Sequence, residues 1–282
     1  HPLINRENNA IFTLLAPRII RAMSELETYQ YLLIALIFVW SGFVRSGLGF
    51  GGAALSLPFL LLIENQPLIF LPIIAIHLLV FSSSTVLVNA RRSSLAKASG
   101  GAFRQGIDWA YLRYALAVMI IPKLLGVFGL ITLPPAVMSG IIFSIVAVYA
   151  IGYILNRPFK SNSKAVDALF LMLGGYISGS SLIGAPLIIA VFANHVDKHQ
   201  LRDTLFVLWF ILVTIKMAAF IAVGIDLQLI HQLWLLPCAT VGHLLGLRLH
   251  RRMLDRESPL FFRLLGSALL LISTIGLLKG LV

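Results

Sequence analysis

Cysteine is almost missing from this chain. Cys238 stands alone in 282 residues, which excludes an internal disulfide and any metal site built from several cysteines. Acids are scarce too, with eleven Asp and Glu against 22 Lys and Arg. All of them fall in the N-terminal tail, between apolar segments or at segment ends, so no carboxylate is offered at mid-membrane depth. Cation paths and carboxylate proton relays usually place an acid there, and both are disfavoured. No acid pair, HExxH element or cysteine nucleophile lies on the apolar segments, so no enzymatic role, metal or cofactor is expected.

Apolar residues fill the space that charge leaves. They make up 59% of the chain, against 12% charged, and the mean hydropathy is +0.94. A soluble domain could not hide that much apolar surface, whereas a bilayer tolerates it. The runs 31–44, 73–88 and 136–154 contain no Asp, Glu, Lys or Arg. The formal net charge of +11 is strung out in short stretches between apolar segments rather than gathered on one face. Positive-inside topology accounts for it better than nucleic-acid binding.

Residues 1–27 lack the charged start, apolar run and small-residue cleavage site of a signal peptide and are expected to stay on the protein. Ile11, Leu14, Leu15, Ile19 and Ile20 form a stripe interrupted by Pro17, with Arg18 and Arg21 opposite. That pattern predicts an interfacial amphipathic helix, with a disordered tail as the alternative.

Apolar segments follow at 29–44, 53–63, 68–90, 109–131 and 135–155. A second set at 165–178, 184–194, 203–223, 229–249 and 260–280 repeats their order and lengths. The expected fold is therefore all-α, a polytopic integral membrane protein with repeats at 28–156 and 157–282. Residues 42–53 (GFVRSGLGFGGA) align with 175–186 (GYISGSSLIGAP), 133 positions on. In each copy a short apolar piece meets a Gly/Ser cluster and resumes as another short piece. A helix of eleven residues covers only about 16 Å of the roughly 30 Å of hydrocarbon, so a broken or re-entrant Gly-rich pair plus three full spans is expected in each repeat.

Charge orients the copies. Arg91, Arg92, Lys97 and Arg104 follow the third segment, whereas its counterpart is followed by Asp226 alone. Residues 132–134 carry no charge, whereas their counterpart holds Arg248, Arg251, Arg252, Arg256 and Arg263. Corresponding loops thus face opposite sides, which predicts inverted-topology repeats. Arg157, Lys160, Lys164, Lys198 and Arg202 then lie inside, Glu64 outside, and both chain ends outside.

Irregular backbone at membrane depth survives only where it is packed in protein or lines a wet cavity. Two matched breaks point to one central site, where half-helix N-termini offer N–H groups and partial positive charge to an anion. The candidate binding residues are Arg45, Ser46, Gly47, Gly49, Gly51 and Gly52 in the first copy, with Ser178, Gly179, Ser180, Ser181 and Gly184 in the second. Close helix packing through small residues is the competing reading. Arg45 is the sharpest of them, because its planar fork matches sulfonate, sulfite or carboxylate oxygens and arginine inside a membrane usually faces protein or water. Snorkelling to the interface competes with that role. His77 and His243 are candidates for a proton or gating role, against helix packing. Lys123 and Lys216 lie about 10 Å from the outer ends of their helices and are read as snorkelling. Gly51 is expected to tolerate valine less well than Gly224, which sits near a loop.

These motifs resemble the TauE/SafE family of sulfite and organosulfur-anion exporters, the TSUP permeases, over roughly 29–282. The likeness rests on 46–58 (SGLGFGGAALSLP), similar to the family's first motif, and on 184–188 (GAPLI) with 202–206 (RDTLF), similar to its second. Residues 106–109 (GIDW) and 242–249 (GHLLGLRL) support it. The resemblance implies a bacterial inner-membrane permease for sulfite, sulfoacetate, related sulfonates or other small organic anions. The expected function is a secondary transporter exporting such sulfur anions, with alternating access expected from the inverted repeats. A passive anion channel and a permease for small carboxylates remain the alternatives. Leu182, Ile183 and Ala185 stand where the family's second motif has further glycines, which puts the second copy's share of binding in question. A small anion and the lipid bilayer are the expected partners, and self-association is left open.

Overall fold

A computed structural model describes residues 26–48, 52–98, 106–157, 159–253 and 259–281, all helix and connecting turns with no strand among them. The expected interfacial segment falls outside the described residues except for Leu26 and Glu27. Ten helices follow in order: α1 Thr28–Leu48, α2 Gly52–Ile63, α3 Pro67–Ala98, α4 Trp109–Thr132, α5 Pro135–Ile154, α6 Lys164–Ser181, α7 Ala185–His195, α8 Lys198–Val223, α9 Leu229–Met253 and α10 Pro259–Leu281. Seven of them (α1, α3, α4, α5, α8, α9 and α10) are long and apolar enough to cross a bilayer. Large apolar side chains point outward as freely as inward, with Leu233 74% and Ile121 68% exposed. An exterior of that kind is tolerated in lipid and not in water. The chain is a multi-pass membrane protein.

Local chemistry sets the helix limits. Asp108 caps α4 by accepting from the Tyr111 N–H at 2.9 Å, and Ser163 caps α6 through the Val166 N–H at 3.3 Å. Pro134 and Pro135 start α5, where a missing N–H costs nothing. α8 stops at Gly224, whose left-handed backbone (φ 76°) closes the helix. That conformation strains any side chain, so Gly224 is no neutral reference for substitution, contrary to the expectation above. Three further boundaries differ. α3 runs on through Arg91, Arg92 and Lys97, since no helix breaker occurs before Gly100 and Gly101. α9 likewise extends to Met253. α1 is long enough to span by itself, leaving α2 (12 residues) and α7 (11 residues) as the truly short members of the pairs.

Helix neighbours follow a two-fold scheme. α1 packs along α9 and α4 along α6, while α5 packs on α10 and α3 on α8. Exchanging α1–α5 for α6–α10 turns the α1·α9 pair into α6·α4 and the α1·α2 pair into α6·α7. The α3·α8 and α5·α10 pairs map onto themselves. Glycine allows the two closest crossings. A Cβ on Gly42 or Gly242 would strike the Ala239 or Val39 carbonyl across the α1–α9 contact. A Cβ on Gly126 or Gly179 would strike the Tyr176 or Lys123 carbonyl across α4–α6.

α6 and α7 form a hairpin that turns back inside the protein. His195, at the end of α7, lies with Nε2 2.8 Å from Asp167 Oδ2 in the first turn of α6. Tyr111 stacks on the His195 ring at 5.0 Å, and Asn194 donates to the Ser161 carbonyl at 2.8 Å. Both ends of the hairpin therefore meet at one face, and α8 carries the chain away from it. In a Cys238→Ser background, cysteines placed at Asn162 and Lys198 are expected to react with an impermeant maleimide from the same side. A cysteine at Asp226 is expected to react from the other. Labelling of 162 and 198 from opposite sides would contradict the hairpin.

Candidate functional site

The two hydrophobic cores meet at a cavity. One core gathers α1, α2, α3, α5 and parts of α8–α10 around Phe38, Leu57, Phe70 and Phe220, with Leu130 of α4, Ile177 of α6 and Leu187 of α7 joining it. The other joins α4, α6, α7 and α8 around Met119, Leu171, Phe192 and Leu208. Between them lies a small cavity, partly open to the outside. Arg45, Gly52 and Ala53 line it from the first helix pair; Ser178, Leu182, Ile183 and Ala185 line it from the second. Leu78 and Ser82 of α3 face Phe206, Trp209, Leu212 and Val213 of α8 across the remaining walls. Arg45 and Ser178 are aligned positions, 133 apart in the sequence, and so are Gly52 and Ala185. The two aligned stretches thus both contribute to one space.

Among the described residues Arg45 has no counter-ion there. Its guanidinium sits 4.0 Å over the Phe81 ring, and Nε and Nη2 are shielded from solvent with no hydrogen-bond partner among the described residues. Buried N–H donors on a cation are costly to leave unpaired, and structures normally pair them. No carboxylate lines the cavity among the described residues. The other polar side chains on its wall are the hydroxyls of Ser82 and Ser178 and the Trp209 indole, and the N-terminal turns of α2 and α7 begin on it. Donors and positive helix ends dominate, a setting that suits an oxyanion.

The second break is described completely. Leu182 adopts left-handed backbone (φ 63°, ψ 12°) and Ser178 accepts from its N–H at 3.3 Å. Leu182 occupies a conformation that glycine would adopt without strain. Its side chain, 9% exposed, lines the cavity. Gly184 follows, so close to the Gly174 carbonyl that no side chain fits.

Among the residues singled out from the sequence, Arg45, Gly52 and Ser178 line the cavity. Ser46 is buried beside it, donating to the Gly42 carbonyl at 2.9 Å and touching His243 Nδ1. The Ser180 and Ser181 hydroxyls both bond the Ile177 carbonyl, at 3.2 and 2.9 Å. Gly179 and Gly184 serve close backbone packing. Gly47 lies within α1, while Gly49 and Gly51 fall outside the described residues. His77 bonds the Ile73 carbonyl through Nδ1 at 2.7 Å and stacks between Phe38 and Phe81. The His243 ring packs on the other side of Phe81, at 4.9 Å.

Burial overturns the snorkelling expectation for Lys123 and Lys216, since neither exposes any surface. Lys123 Nζ donates to the Ser178 carbonyl at 2.9 Å and to Ser178 Oγ at 3.1 Å. Lys216 Nζ donates to the Ser180 carbonyl at 3.2 Å and lies 5.5 Å from the Phe220 ring centroid. The signal was present in the sequence. Leu112, Ala115, Met119, Lys123, Gly126 and Leu130 recur at three- and four-residue spacing, and so do Leu208, Leu212, Lys216 and Phe220. Each lysine therefore sits on its helix's inward stripe, where its stem cannot reach the interface.

A family model described as "Sulfite exporter TauE/SafE" matches residues 33–277. Neither the curated proteins nor the solved structures yield a match.

Proposed function

Because the chain belongs to the sulfite exporter TauE/SafE family, a family of membrane transporters, we propose that it carries sulfite or a closely related sulfur oxyanion through the cavity between its two broken helix pairs. The observation that carries this reading is Arg45, a cation whose Nε and Nη2 have no partner among the described residues, on a wall to which those residues bring no carboxylate. A pyramidal oxyanion presents several acceptor oxygens to a guanidinium fork and the neighbouring hydroxyls. The setting we propose is the bacterial inner membrane, with the basic connections inside and export as the direction of flux.

Alternating access is the mechanism we favour over a passive pore. The exchangeable helix pairs and the charge asymmetry of matching connections support inverted repeats, and such repeats rock about a fixed central site. Counterflow tests it. Proteoliposomes loaded with unlabelled sulfite are expected to accumulate radiolabelled sulfite transiently above equilibrium, under conditions that clamp the membrane potential. Equal uptake with and without internal sulfite would leave a channel as the better description. Small carboxylates added as competitors report whether the cavity separates sulfur oxyanions from carboxylates.

A further inference from the structure

Each half-helix pair points two ends at the cavity region, and only one of them favours an anion. The starts of α2 and α7 carry partial positive charge, whereas the ends of α1 and α6 carry partial negative charge from unpaired carbonyls. Left bare, the end of α6 would oppose an anion at Ser178. It is not bare, because Lys123 occupies the Ser178 carbonyl and Lys216 the Ser180 carbonyl, both in the last turn of that helix. Arg45 stands in the corresponding last turn of α1.

Lys123 makes a second bond, which has consequences for direction. Nζ donates to Ser178 Oγ, and while the amine is protonated it has no lone pair with which to accept. The Ser178 proton must go elsewhere. Ser180 and Ser181 spend theirs on the Ile177 carbonyl, while the Ser178 hydroxyl donates to no described residue and Ser178 is one of the residues that line the cavity. We infer that Lys123 is a positioning residue for the anion: by occupying Ser178 Oγ as an acceptor, it leaves that hydroxyl free to donate into the cavity, opposite Arg45. The inference rests on the anion reading above and adds to it the source of the second copy's donor. Lys123 reaches the ligand only through Ser178.

Titration calorimetry with sodium sulfite on the purified full chain tests this, using Ser178→Ala, Ser178→Thr, Lys123→Met, the Ser178→Ala/Lys123→Met pair and Arg45→Gln. Ser178→Ala is expected to weaken binding about tenfold, as loss of a donor to a charged acceptor does, and Ser178→Thr to restore it to within about threefold. Lys123→Met is expected to weaken it by about the same factor as Ser178→Ala. In the Lys123→Met background, removing the hydroxyl is expected to cost less than about twofold more, the coupling of residues that act as one unit. A full tenfold effect of Ser178→Ala in both backgrounds would show that Lys123 does not orient the hydroxyl. An unchanged affinity in Ser178→Ala would overturn the inference even if Lys123→Met fails to fold. Wild-type protein that binds no sulfite, or an Arg45→Gln variant that binds it normally, would instead remove the anion reading beneath it.

Discussion

Arg45→Ala is expected to weaken sulfite binding and transport about a hundredfold while leaving the fold as stable as before. The affinity change follows from truncating one partner of a desolvated, charge-assisted contact, which typically costs about 3 kcal/mol or more, and each 1.4 kcal/mol is about tenfold. The stability side follows from the same geometry. Nε and Nη2 have no partner among the described residues, so without a bound anion the protein bears the cost of burying a cation that these residues do not neutralise. Among them the Phe81 ring, 4.0 Å away, compensates in part. Removing the charge therefore lifts a cost from the apo protein, and the melting temperature of Arg45→Ala is expected to equal or exceed that of wild type. Sulfite is expected to raise the melting temperature of wild type and not of the variant. Arg45→Lys keeps the charge but not the planar fork, and only partial recovery is expected. A variant that melts early and still transports normally would make Arg45 a structural residue.

That contrast depends on Arg45 facing a cavity, a point on which sequence and structure meet unevenly. The ten segments were readable because apolar runs of span length and their interruptions are written in composition, and the Gly/Ser cluster at 178–184 marked where α6 gives way to α7. The contents of the cavity wall were less readable. Ser82 and Trp209 are single residues on long apolar helices, and their role depends on which face of α3 and α8 turns inward. Depth along the helix alone suggests snorkelling for Lys123 and Lys216, whereas rotation about the helix axis decides whether a stem can reach water. The serine cluster misled in the other direction. Ser178, Ser180 and Ser181 look alike in sequence, yet two of the hydroxyls bond their own helix, while the third accepts from Lys123 on a residue of the cavity wall. Local backbone competition of that kind is invisible until the neighbours are placed.

The glycines carry the largest expected effect on folding. Gly242→Val and Gly126→Val are each expected to abolish recovery of monodisperse protein, whereas Gly140→Ala, which meets nothing within 4 Å, is expected to behave as wild type. The reason is the kind of atom each side chain would meet. At Gly242 the new Cβ runs into the Val39 carbonyl of α1, and at Gly126 into the Tyr176 carbonyl of α6. Backbone cannot swing aside as a side chain would, so the helices must separate. In lipid no hydrophobic force compensates, because tails solvate the parted faces as well as the helices solvated each other. The α1–α9 contact supports the segment bearing Arg45, and the α4–α6 contact carries Lys123 to Ser178. Milder Gly→Ala changes at 242 and 126 therefore separate two outcomes. If the crossings only hold the bundle together, folded survivors will bind sulfite normally. If the crossings also set the site, Gly126→Ala survivors will show the Ser178→Ala defect, and Gly242→Ala survivors will show that of Arg45→Lys.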